Sequence, residues 1–264
     1  MIDQRLAATL TERIEDALRS ASHLPLVVGI CGAQGSGKST LTAHLAQRLG
    51  ASGRRVAALS LDDLYKTRAE RLAMARTVHP LFATRGVPGT HDIALGLDTL
   101  AALERGEASP LPRFDKGADD RVPRADWPHA PPDTQVLLLE GWCLGAVPQT
   151  DLSAPVNALE AEEDPQAIWR SHVNTALAGA YQHLFARIDL LVLLAAPGWD
   201  VVAKWREQQE AELRAKGGGA VMSPGQVTRF IQHYERLTRW ILEDMPLRAD
   251  LTVRLGENRE VLSL

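Results

Sequence analysis

Cysteine, aromatic residues and long apolar runs are all scarce in this sequence. Only Cys31 and Cys143 are present, far apart and each in or beside an apolar stretch. Two such thiols read as buried and reduced, which excludes a disulfide scaffold and suits a cytoplasmic protein. The apolar runs stop well short of the roughly 18 residues that span a bilayer. The N-terminal stretch carries Glu12, Glu15 and Asp16 and lacks a signal-peptide core. Lys and Arg form no dense tract, and the net charge is −4. Nucleic acid and anionic membrane are thereby excluded as main partners. Oligomeric state leaves no trace in the sequence.

What is present suffices for a sizeable core. The 264 residues are 45% hydrophobic and 23% charged, a composition expected of one large α/β domain. Residues 32–40 read Gly32-Ala33-Gln34-Gly35-Ser36-Gly37-Lys38-Ser39-Thr40, the complete phosphate-binding pattern G-x-x-x-x-G-K-[ST]. Its context agrees: an apolar run over 25–31 precedes it, and Leu41, Leu45 and Leu49 follow at helical spacing until Gly50. The glycines allow a tight turn whose backbone N–H groups converge on phosphates, aided by the positive end of the new helix. Lys38 then meets the β- and γ-phosphates, and Ser39 supplies a hydroxyl to Mg²⁺. The expected cofactors are ATP and Mg²⁺. Neither N-K-x-D nor a D-x-x-G switch after the acid-ended strand is found, which argues against a GTPase.

Strands are expected over 26–31, 55–61, 135–139, 189–195 and 250–255, and helices over 38–49, 92–105, 166–187 and 200–215. An amphipathic N-terminal helix presents Leu6, Leu10, Ile14, Ala17 and Leu18 on one face. Strands alternating with helices imply a parallel sheet covered on both faces. Residues 106–133 form a proline-rich segment with embedded Phe114 and Trp127, and long loops of this kind more often carry function. Gly217-Gly218-Gly219 is a candidate hinge.

In a parallel sheet, ligands lie beyond the carboxyl ends of the strands. Asp62 and Asp63 follow the second strand there, and a carboxylate at that point suits a kinase, which must accept a hydroxyl proton. Asp62 is the candidate base and Asp63 its support. The third strand ends in Glu140, the Walker B position, with Glu where Asp is commoner. His91 reads as structural, with a helix cap at Thr90 or Asp92. Arg113, Lys116, Arg121 and Arg124 bring cations to the long loop, suited to a small anionic acceptor. Arg206 opens a helix and is a candidate lid charge over the γ-phosphate, with Trp205 assigned to packing. Gly256-Glu257-Asn258-Arg259, after the last strand, is a candidate wall of the base pocket.

These pieces, in this order, resemble the phosphoribulokinase/uridine kinase class of P-loop kinases, and within it the D-glycerate 3-kinase and kinase-like branch. The resemblance rests on the loop at 32–40, Ser60-Leu61-Asp62-Asp63-Leu64-Tyr65, His79-Pro80-Leu81 and residues 85–92. It continues through Leu111-Pro112-Arg113-Phe114-Asp115-Lys116, Leu139-Glu140-Gly141-Trp142 and Trp205-Arg206-Glu207-Gln208-Gln209-Glu210, with Asn157, Leu159-Glu160, Trp169-Arg170 and Asn174. It implies an α/β P-loop NTPase three-layer sandwich with a mostly parallel five-stranded sheet and a helical lid. Asp62 matches the class's catalytic aspartate in a D-x-[FL]-Y element that ends at Tyr65. Phe114-Asp115 matches its Y-D acceptor element, with Phe in place of Tyr. Nucleoside kinases of the class add a His and an Arg shortly after that element; here Arg121 is present and the His is not, which argues against uridine.

The resulting expectation is one kinase domain over 1–264, with an N-terminal helix within 1–22, an acceptor-binding segment over 62–133 and a lid over 200–222. Catalytic roles fall to Asp62, Lys38 and Arg206, nucleotide binding to residues 32–40, and Mg²⁺ to Ser39 and Glu140. The acceptor, D-glycerate in the leading reading, would meet Asp62, Tyr65, Arg85, Arg113, Asp115, Lys116 and Arg121. Pantothenate or a nucleoside as acceptor, and a P-loop regulator without phosphotransfer, remain alternatives.

Overall fold

The computed structural model describes residues 3–215 and 222–264; the glycine tract at 217–219 and the end of the expected lid lie outside them. Helix α1 (Gln4–Ser20) starts at an Asp3 cap and buries Leu6, Leu10 and Ile14. Strand β1 (Leu26–Gly32) leads to α2 (Lys38–Ala51), then β2 (Val56–Ser60), a 3-10 turn (Leu61–Leu64), α3 (Arg68–Thr77) and α4 (Ile93–Glu104). A small hairpin of β3 (Phe114–Asp115) and β4 (Asp120–Arg121) precedes β5 (Val136–Gly141). Then come α5 (Ala158–Glu163), α6 (Ile168–Ala176), α7 (Gln182–Phe185), β6 (Leu190–Ala195), α8 (Trp199–Ala215), α9 (Pro224–Asp244), β7 (Leu251–Leu255) and β8 (Val261–Ser263).

The main sheet has the order β2-β5-β1-β6-β7-β8. The five expected strands pair in parallel, and the sheet gains a sixth, β8, antiparallel to β7. A three-residue strand with exposed Leu262 carries too little periodicity to be read in advance. β1 and β5 are buried along their whole length, as central strands covered on both faces must be. The helix expected over 166–187 is interrupted, because Gly179 takes non-helical angles of −97° and −116° within a wide turn. Among the described residues no helix is long and apolar enough to cross a membrane.

The 21-residue helix α9 was not anticipated, although its start is marked by a capping box of Ser223 and Gln226. A buried ion pair docks it. Arg236 forks onto Glu160 at 2.8 and 2.6 Å, and Asn157 both caps α5 through Glu160 N and reaches the Gln232 carbonyl. Arg170 donates to Asp164 beneath the same arm. Asn157, Glu160 and Arg170 thus build scaffold.

Two buried imidazoles set a pH dependence. Burial pushes His91 down to about 3 and His233 down to about 4, whereas in the unfolded chain each takes a proton near 6.5. Below about pH 6.5 the unfolded state therefore binds more protons, and stability falls as pH falls toward 4. Each histidine contributes about 1.4 kcal/mol per pH unit once its unfolded form is protonated. Denaturant midpoints between pH 7.5 and 4.5 should show this decline, with a shallower slope in His233→Gln; an identical slope would mean that His233 titrates normally in the fold.

Candidate active site

β1, β5 and β2 are parallel neighbours, so their carboxyl ends open on one edge of the sheet. At that edge β1 runs into the turn 33–37, and α2 begins at Lys38. Gly35 and Gly37 hold φ of +80° and +89°, the left-handed backbone that favours glycine. Gly35 is also short of space, since a β-carbon there would lie 2.7 Å from Trp205 Cβ. The Gly37 cap has no side-chain bond to the helix. The first N–H groups of α2 and its positive end are thus presented toward a ligand.

Beside this turn Ser39 Oγ donates to Glu140 Oε1 at 2.8 Å. Strand register puts the acid there, because Glu140 pairs with Ile30 of β1 on one side and Ser60 of β2 on the other. Glu140 is 7% exposed, and its Oε2 is buried without a hydrogen-bond partner. An orphaned carboxylate oxygen next to a hydroxyl fits a hard divalent cation. Among the described residues no group of three or more His, Cys, Asp or Glu forms a metal cluster. Mg²⁺ needs none, since it takes one or two protein oxygens and completes its shell with phosphates and water.

Asp62 stands on the 3-10 turn past β2, whose Ser60 hydroxyl caps its N–H at 3.2 Å. Its Oδ1 accepts from the Tyr65 hydroxyl at 2.8 Å and its Oδ2 from Lys116 Nζ at 2.7 Å. Burial works against the charged form, but the ammonium groups of Lys116 and Lys38 outweigh it and hold the carboxyl well below the usual range. Asp62 is therefore ionised at neutral pH. Tyr65 is buried behind it, stacked on His91 at 4.5 Å, and burial together with Asp62 keeps its phenol protonated. Asp63 turns the other way, accepting from Arg113 at 2.9 Å and from the Phe114 N–H at 3.2 Å.

The long proline-rich segment thus delivers a hairpin to Asp62. Asp115, exposed, accepts from the N–H groups of Gly117 and Ala118 and shapes its turn. Arg121 donates to the Tyr65 carbonyl and to Asp92 at 3.0 and 3.2 Å. Arg85 pairs with Asp119 and lies 5.5 Å over the Phe114 ring. Arg71, absent from the sequence reading, is 1% exposed. It donates to the Ala83 carbonyl at 2.9 Å and the Asp119 carbonyl at 2.8 Å, and pairs with the Asp119 carboxylate at 2.9 Å. The capping box of Thr67 and Glu70 marks its helix, but nothing in the local sequence marks the arginine. Arg124 lies apart, 5.9 Å over Trp127.

On the opposite side of the loop, Arg259 Nε donates to the Gly35 carbonyl at 2.6 Å, with its guanidinium 5.0 Å over the Trp205 ring. It holds a left-handed φ of 65° to do so. Trp205 Nε1 donates to the Glu257 carbonyl at 2.7 Å. Arg206, one residue on, pairs with Glu210 and lies 5.4 Å over Phe230 of α9. A cavity of about 730 Å³ opens beside Gly37 and Thr40, walled by Leu6, Leu194, Leu255, Asn258 and Arg259. Its size suits a nucleoside.

Comparison with known proteins agrees with this geometry. The family model of the methylmalonyl Co-A mutase-associated GTPase MeaB matches residues 3–68, the part around the phosphate loop. The chain is 36% identical over 222 residues to the uncharacterized kinase mug58 of Schizosaccharomyces pombe, covering 80% of this chain and 78% of that one. It is 34% identical to the chloroplastic D-glycerate 3-kinase of Arabidopsis thaliana over 80% of this chain, and spans 46% of that protein's length. The solved D-glycerate 3-kinase of Cryptococcus neoformans superposes with a TM-score of 0.79 at 27% identity, covering 98% of each chain.

The Arg259 bond fixes the peptide that follows Gly35, and so the shape of the loop. A hydrogen bond made by a charged group contributes about 1.5–3 kcal/mol. Arg259→Ala should therefore lower the melting temperature by several degrees and weaken ATP binding by roughly tenfold in calorimetry; equal affinity would show that the loop holds its form unaided.

Proposed function

Since the chain belongs to the D-glycerate 3-kinase and kinase-like branch of the P-loop kinases, we propose that it transfers the γ-phosphate of ATP to the 3-hydroxyl of D-glycerate. The observation that carries this reading is the ionised Asp62 on the strand edge that also bears the phosphate loop, with a cation, Lys116, in contact with it. The names of the plant and fungal relatives support D-glycerate as acceptor.

Residues 32–40, including Lys38, hold the triphosphate, and the cavity beside Thr40 takes the nucleoside. Ser39 and Glu140 hold Mg²⁺, which when bound offsets phosphate charge. The hydroxyl oxygen of the acceptor forms a bond to the γ-phosphorus while the bond from that phosphorus to the bridging oxygen breaks, its electron pair leaving on ADP. The hydroxyl proton goes to Asp62 Oδ2. Asp62 aims the hydroxyl, and in a loose transition state the proton moves late; with Lys116 drawn to the acceptor's carboxylate, Asp62 is a stronger base than in the resting site. Tyr65 fixes the Asp62 side chain. Arg113 and Arg121 hold Asp63 and Asp92 and shape the pocket, as Asp115 does the turn, which leaves Lys116, with Arg85 behind it, for the acceptor's carboxylate. Arg206 reaches the γ-phosphate by leaving Glu210, and α8 serves as the lid.

An ADP-release assay over D-glycerate, L-glycerate, glycolate, pantothenate and uridine, with ATP and GTP, tests the reading. D-glycerate with ATP should give the highest kcat/KM, and a preferred nucleoside or pantothenate would replace it. Asp62→Asn should leave ATP affinity nearly intact and lower kcat by roughly a hundredfold or more. An unchanged rate would remove Asp62 from the role.

A further inference from the structure

The hairpin that carries Lys116 is held far more firmly than the lysine itself. Its backbone is tied by Asp63 to Arg113 and the Phe114 N–H, and by Asp119 to Arg71 and Arg85. The Arg68 N–H adds a bond to Asp120 at 3.2 Å, and Tyr65 meets Phe114 edge-on at 5.2 Å. Lys116 projects from this frame on a flexible four-carbon stem, its side chain 60% exposed. Its ammonium meets Asp62 Oδ2, and Tyr65 takes Oδ1. Both oxygens of Asp62 thus have donors, and although each keeps a second lone pair, a hydroxyl arriving at Oδ2 finds that oxygen's basicity drawn off by a full positive charge.

We propose that Lys116 is a lock on Asp62 that only an acceptor bearing a carboxylate opens. The acceptor's anion draws the ammonium from Oδ2, and the same event frees that oxygen for the hydroxyl. An exchange of one carboxylate partner for another costs Lys116 little, whereas a neutral alcohol or water offers no anion in return. Arg113 and Arg121 are poor candidates for this task, each tied to a backbone carbonyl as well as to an aspartate and less exposed than Lys116. Lys116 is then a specificity-determining residue: the acceptor's charge gates the reaction, and ATP is guarded from water. The inference rests on the role given to Asp62, and it does not require that the acceptor be D-glycerate.

The test separates these two. Acceptor-free ATP hydrolysis is measured for the full chain and for Lys116→Met, with and without tens of millimolar propionate, which carries a carboxylate and no hydroxyl. Propionate should stimulate hydrolysis severalfold in the unaltered chain, and Lys116→Met should hydrolyse ATP faster at rest and ignore propionate. Turnover of D-glycerate against glycerol is then compared: discrimination should fall at least tenfold in Lys116→Met and be largely recovered in Lys116→Arg. Hydrolysis indifferent to propionate in both proteins would overturn the lock. So would an equal loss of D-glycerate and glycerol turnover in Lys116→Met, which would make Lys116 a plain charge at the transferring phosphate. Absence of D-glycerate turnover in the unaltered chain would instead overturn the acceptor assignment, and the propionate result would still decide the lock.

Discussion

Ser39 and Glu140 meet because β1 and β5 run parallel and in register, and the rest of the site depends on that meeting. In a parallel pair the chain leaves both strands at the same edge, so a turn after one and an acid at the end of the other become neighbours without any long-range search. β2, on the far side of β5, adds Asp62 by the same rule. The register then matters to a single residue. A slip by one position would turn Glu140 to the opposite face of the sheet and exchange its place with Leu139 or Gly141. Complete burial of β1 and β5 guards against that, since both faces of each strand are packed.

Around this edge, charge is used in two ways. Arg71, Arg113 and Arg121 are bound to backbone carbonyls or to aspartates and act as struts. Planar guanidinium groups suit that work, because each offers several fixed donors at once. Lys116 is the contrasting case: one compact charge, half in solvent, on a stem that moves at little cost. A site of struts alone would be rigid but unresponsive to what enters it. In the mechanism we propose, the lysine supplies the response and the aspartate beneath it the chemistry.

Much of this was legible. The glycine spacing of 32–40 implied the tight left-handed turn into α2, and the strand that ends at Glu140 implied a carboxylate beside it, since both follow from local spacing in a parallel sheet. The remainder was hidden for a physical reason. Arg71 and Arg259 act across 48 and 224 residues of chain, and a single long-range hydrogen bond leaves no periodicity. Arg113 and Arg121 were equal to Lys116 on paper; all three meet an aspartate, and only the arginines' further carbonyl bonds and lower exposure tell them apart. The sixth strand and α9 differ in kind: the strand is too short to read, whereas the capping box and apolar spacing of α9 were present in the sequence.

The contacts of Trp205 constrain how the proposed lid can act. Its side chain fills the space that Gly35 leaves open, its indole N–H holds the Glu257 carbonyl, and its ring carries the Arg259 guanidinium. A swing of α8 about the phosphate loop would break all three together, at a cost of several kcal/mol. Arg206 is the next residue and cannot travel where Trp205 does not. Its route to a γ-phosphate, in the role we propose for it, is therefore a side-chain rotation away from Glu210, over the face of Phe230, with the helix at that point as the fixed pivot. The turn after β7, the phosphate loop and the start of α8 behave as one body, so that whatever seats the nucleotide also sets the arginine's starting point.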